Sequence, residues 1–143
     1  MCMLVWLSFR IEMMDVIYYY YYLFYTKYTP EDQPHSTVVF VLSLSESFII
    51  NGILEIFLAK KFCCNLSKWE MIGVFGLLIV VNYFVYYKSH RGKILIEKNP
   101  RFLGCHILSV IGTTFFFFGS LSFLFWGSDY VKSILDIECN ILN

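Results

Sequence analysis

Three long apolar runs, separated by short polar joints, dominate the chain and cover residues 37–59, 69–87 and 105–127. Each run is close to the ~20 apolar residues that a membrane-spanning helix requires. Formal charge inside the runs is confined to Glu46, Glu55 and Glu70. The pattern therefore predicts three transmembrane helices.

The amino-terminal arm, residues 1–28, is apolar but interrupted by charges at Arg10, Glu12 and Asp15. It lacks the basic start and the small-residue cleavage site of a secretory signal. Residues 16–25 are better interpreted as an interfacial helix, with Tyr18 to Tyr22 at the level of the lipid headgroups, where amphipathic rings are favoured.

The joints between these segments are polar. Pro34 blocks continuation of a helix, and Ser36 or Thr37 could cap the helix that follows. Residues 60–68 form a short joint, whereas residues 88–104 form a longer, basic loop. Residues 128–143 are interpreted as a tail.

Composition supports a membrane location. Hydrophobic residues make up 58% of the 143 residues and charged residues only 15%, against ~45–50% and ~25% in soluble domains. Because the formal net charge is zero, nothing favours nucleic acid as a partner, and the lipid bilayer is the expected surrounding.

The loop 88–104 carries five basic residues: Lys88, Arg91, Lys93, Lys98 and Arg101. Such charges set topology or attract anionic headgroups. Their excess over the other side predicts a cytoplasmic loop and an amino terminus inside.

A polar stripe follows one face of the first run and comprises Ser43, Glu46, Ser47, Asn51 and Glu55. Residues four apart lie almost above one another on a helix, and Glu46 is close to the middle of the run. A charge at that depth costs ~2.5–3.5 kcal/mol on insertion scales. The polar partners expected within the chain are Asn82, Ser109, Thr113 and His106.

Three interpretations of the polar stripe are open. It could dock on another helix, either from this chain or from a partner. Its acids could belong to a proton or cation pathway, as intramembrane carboxylates often do. Alternatively, the first run could be tilted or partly interfacial, so that both acids reach water.

The third run has a face of small and hydroxyl residues: Ser109, Gly112, Thr113, Gly119 and Ser120. Small residues let membrane helices approach closely, so the face is interpreted as helix packing. Gly73 and Gly76 form a less extensive face of small residues in the second run.

The sequence contains few signals of metal binding or catalysis. The five cysteines show no spacing typical of a zinc site. Cys63 or Cys64 could pair with Cys139, although free thiols are an equal expectation. No nucleophile elbow, phosphate loop or metalloprotease motif occurs. We therefore predict neither an enzyme nor a cofactor.

Several short phrases, YYYYYLFY, EDQPH, LSKWEMIGVF, NPRF and LFWGSDYVK, carry a resemblance that would cover residues 14–139. In these phrases and in layout the chain resembles small multi-pass membrane proteins of unknown function from Bacteroidota-type bacteria. The resemblance implies a bacterial inner membrane and no catalytic residue.

The sequence thus predicts an all-α integral membrane protein with three transmembrane helices and an aromatic interfacial helix. A bundle this small encloses little space alone, which favours a homo-oligomer or a larger membrane complex. The leading hypothesis is an accessory or assembly subunit. The alternative is ion or proton translocation through an oligomer lined by Glu46, Asn51 and Glu55. A membrane-permeabilising protein such as a holin ranks third.

Overall fold

In a computed structural model, the chain is described over residues 2–29 and 33–139, with side chains for 12–29 and 33–137. Within those residues every regular element is helical. The α-helices are α1 (Cys2–Tyr28), α2 (Pro34–Phe62), α3 (Lys68–Asn82), α4 (Arg91–Lys98) and α5 (His106–Ile134). The π-helical segments Tyr83–Lys88 and Leu135–Cys139 continue α3 and α5, and a 3-10 turn covers Phe102–Gly104.

Three of the described helices are long and apolar enough to cross a membrane: Pro34–Phe62, Lys68–Lys88 and His106–Ile137. The prediction of an all-α fold with three such helices is confirmed. α5 continues past residue 128, where the sequence predicted a tail, as far as Ile134. Val131 and Ile134 are buried against Ala59 near the end of α2, which extends the packed part of the helix.

The helix ends follow local chemistry. α2 begins at Pro34 itself, since proline fits the first turn of a helix, where its missing N–H is not needed. Ser36 and Thr37 therefore lie inside the first turn and do not cap it. At the start of α3, the Ser67 amide donates to Oε2 of Glu70 at 2.8 Å, as in a capping box.

α2 is the central helix and contacts α1, α3 and α5. A compact apolar cluster joins these helices where α1 crosses α2: Ile17, Tyr18, Tyr21, Val38, Val39, Leu42, Tyr86 and Leu95. Further along α2, Gly52 faces the ring of Phe123. A Cβ at residue 52 would lie 2.4 Å from Cε1 of that ring, so a larger residue would force the Phe123 ring to move.

α1 is enclosed by protein over two helical turns, because every side chain from Asp15 to Tyr21 is buried. A helix at a membrane surface would leave one side uncovered over such a stretch. The rings of Tyr18 to Tyr21 therefore contact protein, contrary to the expectation that they lie among lipid headgroups. Tyr22 is half-buried and packs on the ring of His35.

Candidate functional site

The polar stripe of α2 is turned into the protein. Ser43, Glu46, Ser47 and Asn51 are buried, whereas Glu55 is half-buried. Glu55 makes no hydrogen bond or ion pair with any described residue. The stripe is thus divided into a buried part of four residues and one carboxylate set apart from it.

Asn82 connects α3 to the buried part of the stripe. Its amide nitrogen Nδ2 donates to Oγ of Ser43 at 3.0 Å and to Oε2 of Glu46 at 2.8 Å. Asn82 is the buried polar side chain of α3, so this helix meets α2 at a defined register. The pairing agrees with the partner expected from the sequence.

The other expected partners lie elsewhere. Ser109 and Thr113 donate to backbone carbonyls of their own segment, those of Cys105 and Ser109, both at 2.8 Å. The ring of His106 packs edge-on against that of Tyr20, with 5.4 Å between centroids. These groups therefore do not take part in the polar contact between α2 and α3.

Asn51 forms a second contact between α2 and α3. Its Nδ2 donates to Oγ of Ser47 at 3.0 Å and to the backbone oxygen of Met71 at 3.3 Å. Its Oδ1 is buried and accepts no hydrogen bond from the described residues. Asn51 meets the start of α3 while Glu46 meets its end, so the two helices run in opposite directions.

An ion pair fixes α1 to α4. Arg91 donates from Nε to Oδ1 of Asp15 at 3.2 Å and from Nη2 to Oδ2 at 2.6 Å. These hydrogen bonds raise the pKa of the Arg91 guanidinium, against the opposite effect of burial. Arg91, one of the five basic residues predicted to set topology or attract headgroups, is therefore engaged in an ion pair within the chain.

The other four basic residues of the loop, Lys88, Lys93, Lys98 and Arg101, are exposed. Lys88 lies 4.8 Å from the centroid of the Phe84 ring. These cations remain accessible to headgroups or to water.

Tyr86 lies between the ion pair and the stripe. It interacts electrostatically with both Asp15 and Glu46 and stacks on Tyr18 with 4.4 Å between ring centroids. Arg91, Asp15, Tyr86, Glu46 and Asn82 are here called the polar chain: hydrogen bonds join Arg91 to Asp15 and Asn82 to Glu46, and Tyr86 is within electrostatic range of both carboxylates. The sequence pattern did not indicate that Arg91, Asp15 and Tyr86 belong together, although a charge close before five tyrosines, Asp15, was a signal.

Two buried tyrosines of α1, Tyr18 and Tyr21, hold their phenolic protons more tightly than usual. Burial, assisted by Tyr22, raises the pKa of Tyr18, and burial raises the pKa of Tyr21 to about 12 despite the opposing hydroxyl of Ser45. The Tyr18 hydroxyl is hydrogen-bonded to Nδ1 of His35 at 2.7 Å. α1 is therefore held by neutral phenols as well as by its ion pair.

The face predicted on α5 is only partly used for packing. Ser109, Thr113 and Ser120 are buried. Gly112 faces the ring of Phe102, 3.1 Å from an added Cβ, and Gly119 faces open space. On α2, Gly52, which lies outside the polar stripe, instead contacts α5 through the ring of Phe123.

The described cysteines differ in oxidation state. Among the described side chains no group of three or more His, Cys, Asp or Glu residues could hold a metal ion. Cys63 is in a disulfide, whereas Cys64 and Cys105 are free.

In comparisons with protein families, with curated proteins and with solved structures, nothing matches this chain. The possible chemistry of the protein is therefore inferred from the geometry of its own residues. The polar chain can hold helices in register or pass protons between neighbouring groups.

Proposed function

We propose that the chain is an integral membrane protein that serves as an accessory or assembly subunit of a larger membrane complex. The spans are α2, α3 with its π-helical extension, and α5. The basic loop 88–104 and the amino terminus lie inside, in the inner membrane of a bacterium. The charge distribution and the sequence resemblance support this location.

The observation that carries the proposal is the uncovered surface of α3. This helix packs mainly on α2, and the side chains of Trp69, Ile72 and Leu77 are 81%, 59% and 64% exposed. An added Cβ at Gly73 or Gly76 would meet nothing within 4 Å. Because small residues let a second membrane helix approach closely, this surface suits a partner helix, from another copy or from an unlike subunit.

We expect the double change Gly73→Leu/Gly76→Leu to separate the chain from its complex. Overpacking a tight helix contact costs about 1–3 kcal/mol, which corresponds to a loss of affinity of roughly five- to 150-fold. The measurement is the mass and composition of the complex extracted in mild detergent. Its composition distinguishes a homo-oligomer from a complex with unlike subunits.

Gly119→Leu is the matched control, since Gly119 also faces open space but lies on α5. The control should leave the complex intact. A complex that survives the α3 changes and dissociates with Gly119→Leu would contradict docking through α3.

A second candidate, proton or cation translocation, is favoured by the buried carboxylate of Glu46. The polar chain extends from Arg91 to Glu46 in the middle of α2, and buried intramembrane acids commonly belong to proton pathways. Since Glu46 and Asn51 face α3 of the same chain, the route would run within one chain and not along an oligomer axis.

This candidate predicts proton flux in proteoliposomes under a pH gradient, abolished by Glu46→Gln. The glutamine keeps the shape and can accept the hydrogen bond from Asn82, but it carries no titratable proton. Glu55→Gln is the control, because Glu55 lies outside the buried part of the stripe. Wild-type flux equal to that of protein-free vesicles would exclude translocation and leave the subunit proposal.

A further inference from the structure

A groove of about 590 Å³ lies between the carboxyl-terminal half of α1 and the first three turns of α5, with Val41 of α2 at its floor. Its volume is within the ~300–1,000 Å³ typical of ligand sites. Phe24 of α1 and Phe118 of α5 line it and are 54% and 61% exposed, so the groove is open to the surroundings of the bundle. A long, flexible ligand could enter from the side.

The walls of the groove are mostly aromatic and aliphatic. Such a lining suits an acyl chain, because burial of apolar surface is the main gain available there. The groove is bounded by two helices and a floor, which sets it apart from the single convex faces that α3 and α5 present elsewhere. One chain could therefore be held at a fixed place.

One cation at the groove points to an anionic headgroup. Lys27 lines the groove, and the described lining residues include no carboxylate. A phosphate beside Lys27 would therefore meet a positive charge and no competing negative charge from those residues.

We propose that this groove binds one anionic phospholipid. An acyl chain lies along α5, and Lys27 pairs with the phosphate. The site is separate from the polar chain and from the uncovered surface of α3, and the inference does not depend on the proposed function.

The experiment is native mass spectrometry of the full-length protein in detergent, titrated with phosphatidylglycerol or with phosphatidylcholine of the same acyl chains. We expect a saturable adduct of one lipid, with phosphatidylglycerol preferred. Lys27→Gln should lower that preference about fivefold, the effect of about one cation near anionic lipid. Val110→Trp fills the groove and should abolish the adduct with either lipid.

Two matched controls accompany these variants. Lys60→Gln removes a cation that, like Lys27, lies over a neighbouring tyrosine ring, here Tyr130 at 5.7 Å, but outside the groove. Ile111→Trp adds the same bulk at an exposed residue beside Val110 that does not line the groove. Both controls should bind lipid as the wild type does.

The fold of each variant is checked before its lipid binding is measured. Each variant is compared by far-UV circular dichroism and by elution volume, and only variants that match the wild type are titrated. Leu and Phe in place of Val110 provide smaller fillings if the tryptophan variant fails. Equal binding by groove-filling variants and by Ile111→Trp, or equal affinity of the wild type for the two lipids, would overturn the proposal.

Discussion

Arg91→Gln is expected to lower the free energy of unfolding by about 2 kcal/mol and to loosen α1 from the bundle. Removal of one partner from a buried ion pair costs ~3–5 kcal/mol, because it leaves the other charge buried without its partner. The Asp15 side chain is 10% exposed but that of Arg91 is 39% exposed. Water therefore screens part of the interaction, and we discount the cost accordingly.

The measurement is unfolding in mixed micelles at increasing fractions of denaturing detergent, followed by helical circular dichroism. A second measurement is the ultraviolet absorbance of the tyrosines of α1, which should report more polar surroundings in the variant. The double variant Asp15→Asn/Arg91→Gln should recover part of the loss, since neither group is then charged. A double-mutant cycle isolates the energy of the pair.

Lys132→Gln is the control for this ion-pair prediction. Lys132 and Asp129 form a pair at 3.7 Å whose side chains are 71% and 81% exposed. Exposed pairs contribute little to stability, so the control should unfold as the wild type does. Equal stability of Lys132→Gln and Arg91→Gln would show that the Asp15 ion pair does not hold α1.

The main helices could be predicted from the sequence because their signal is local. The apolar runs 37–59 and 69–87 lie inside α2 and α3 with its extension, and a run of that length is rarely anything other than a spanning or buried helix. The sequence pattern did not predict the end of α5. Val131 and Ile134 are stabilised by contact with Ala59, and a contact between residues so far apart cannot be predicted from a local stretch of sequence.

The placement of α1 required information that the sequence pattern lacks. Asp15 and Arg91 are far apart along the chain, and each is locally typical of a surface charge. Likewise, five consecutive tyrosines must point around the whole helix, so they cannot be sorted into a buried and an exposed face. Only a helix enclosed on all sides buries Tyr18 to Tyr21 together, and such enclosure depends on the tertiary arrangement of α2, α4 and α5.

The sequence limited the partners of Glu46 to Asn82, Ser109, Thr113 and His106, and only the tertiary arrangement selects among them. Asn82, the one polar residue of the second run besides Glu70, bonds the carboxylate. The contact of Gly52 with the Phe123 ring was not predicted. Gly52 lies outside the polar stripe on an apolar part of the helix surface, where a glycine gives no signal of a partner.

Asn82→Leu tests whether this pairing stabilises the contact between α2 and α3. The change removes both donors to Ser43 and Glu46 while it keeps the size of the side chain. Each hydrogen bond between membrane helices contributes ~0.6–1.7 kcal/mol, and a buried carboxylate that loses a donor adds a desolvation cost. We therefore expect the free energy of unfolding to fall by about 2–3 kcal/mol, measured as for Arg91→Gln.

The double variant Glu46→Leu/Asn82→Leu separates the two causes. If the cost comes from the carboxylate that Asn82 no longer serves, removal of both groups should restore part of the stability, because apolar groups of similar shape can replace a buried polar pair at little cost. Glu55→Gln is the control, since Glu55 is half-buried and makes no bond to α3 in the described residues. If Asn82→Leu is no less stable than Glu55→Gln, the contact between α2 and α3 depends on apolar packing alone, and the buried carboxylate of Glu46 then requires a role other than assembly.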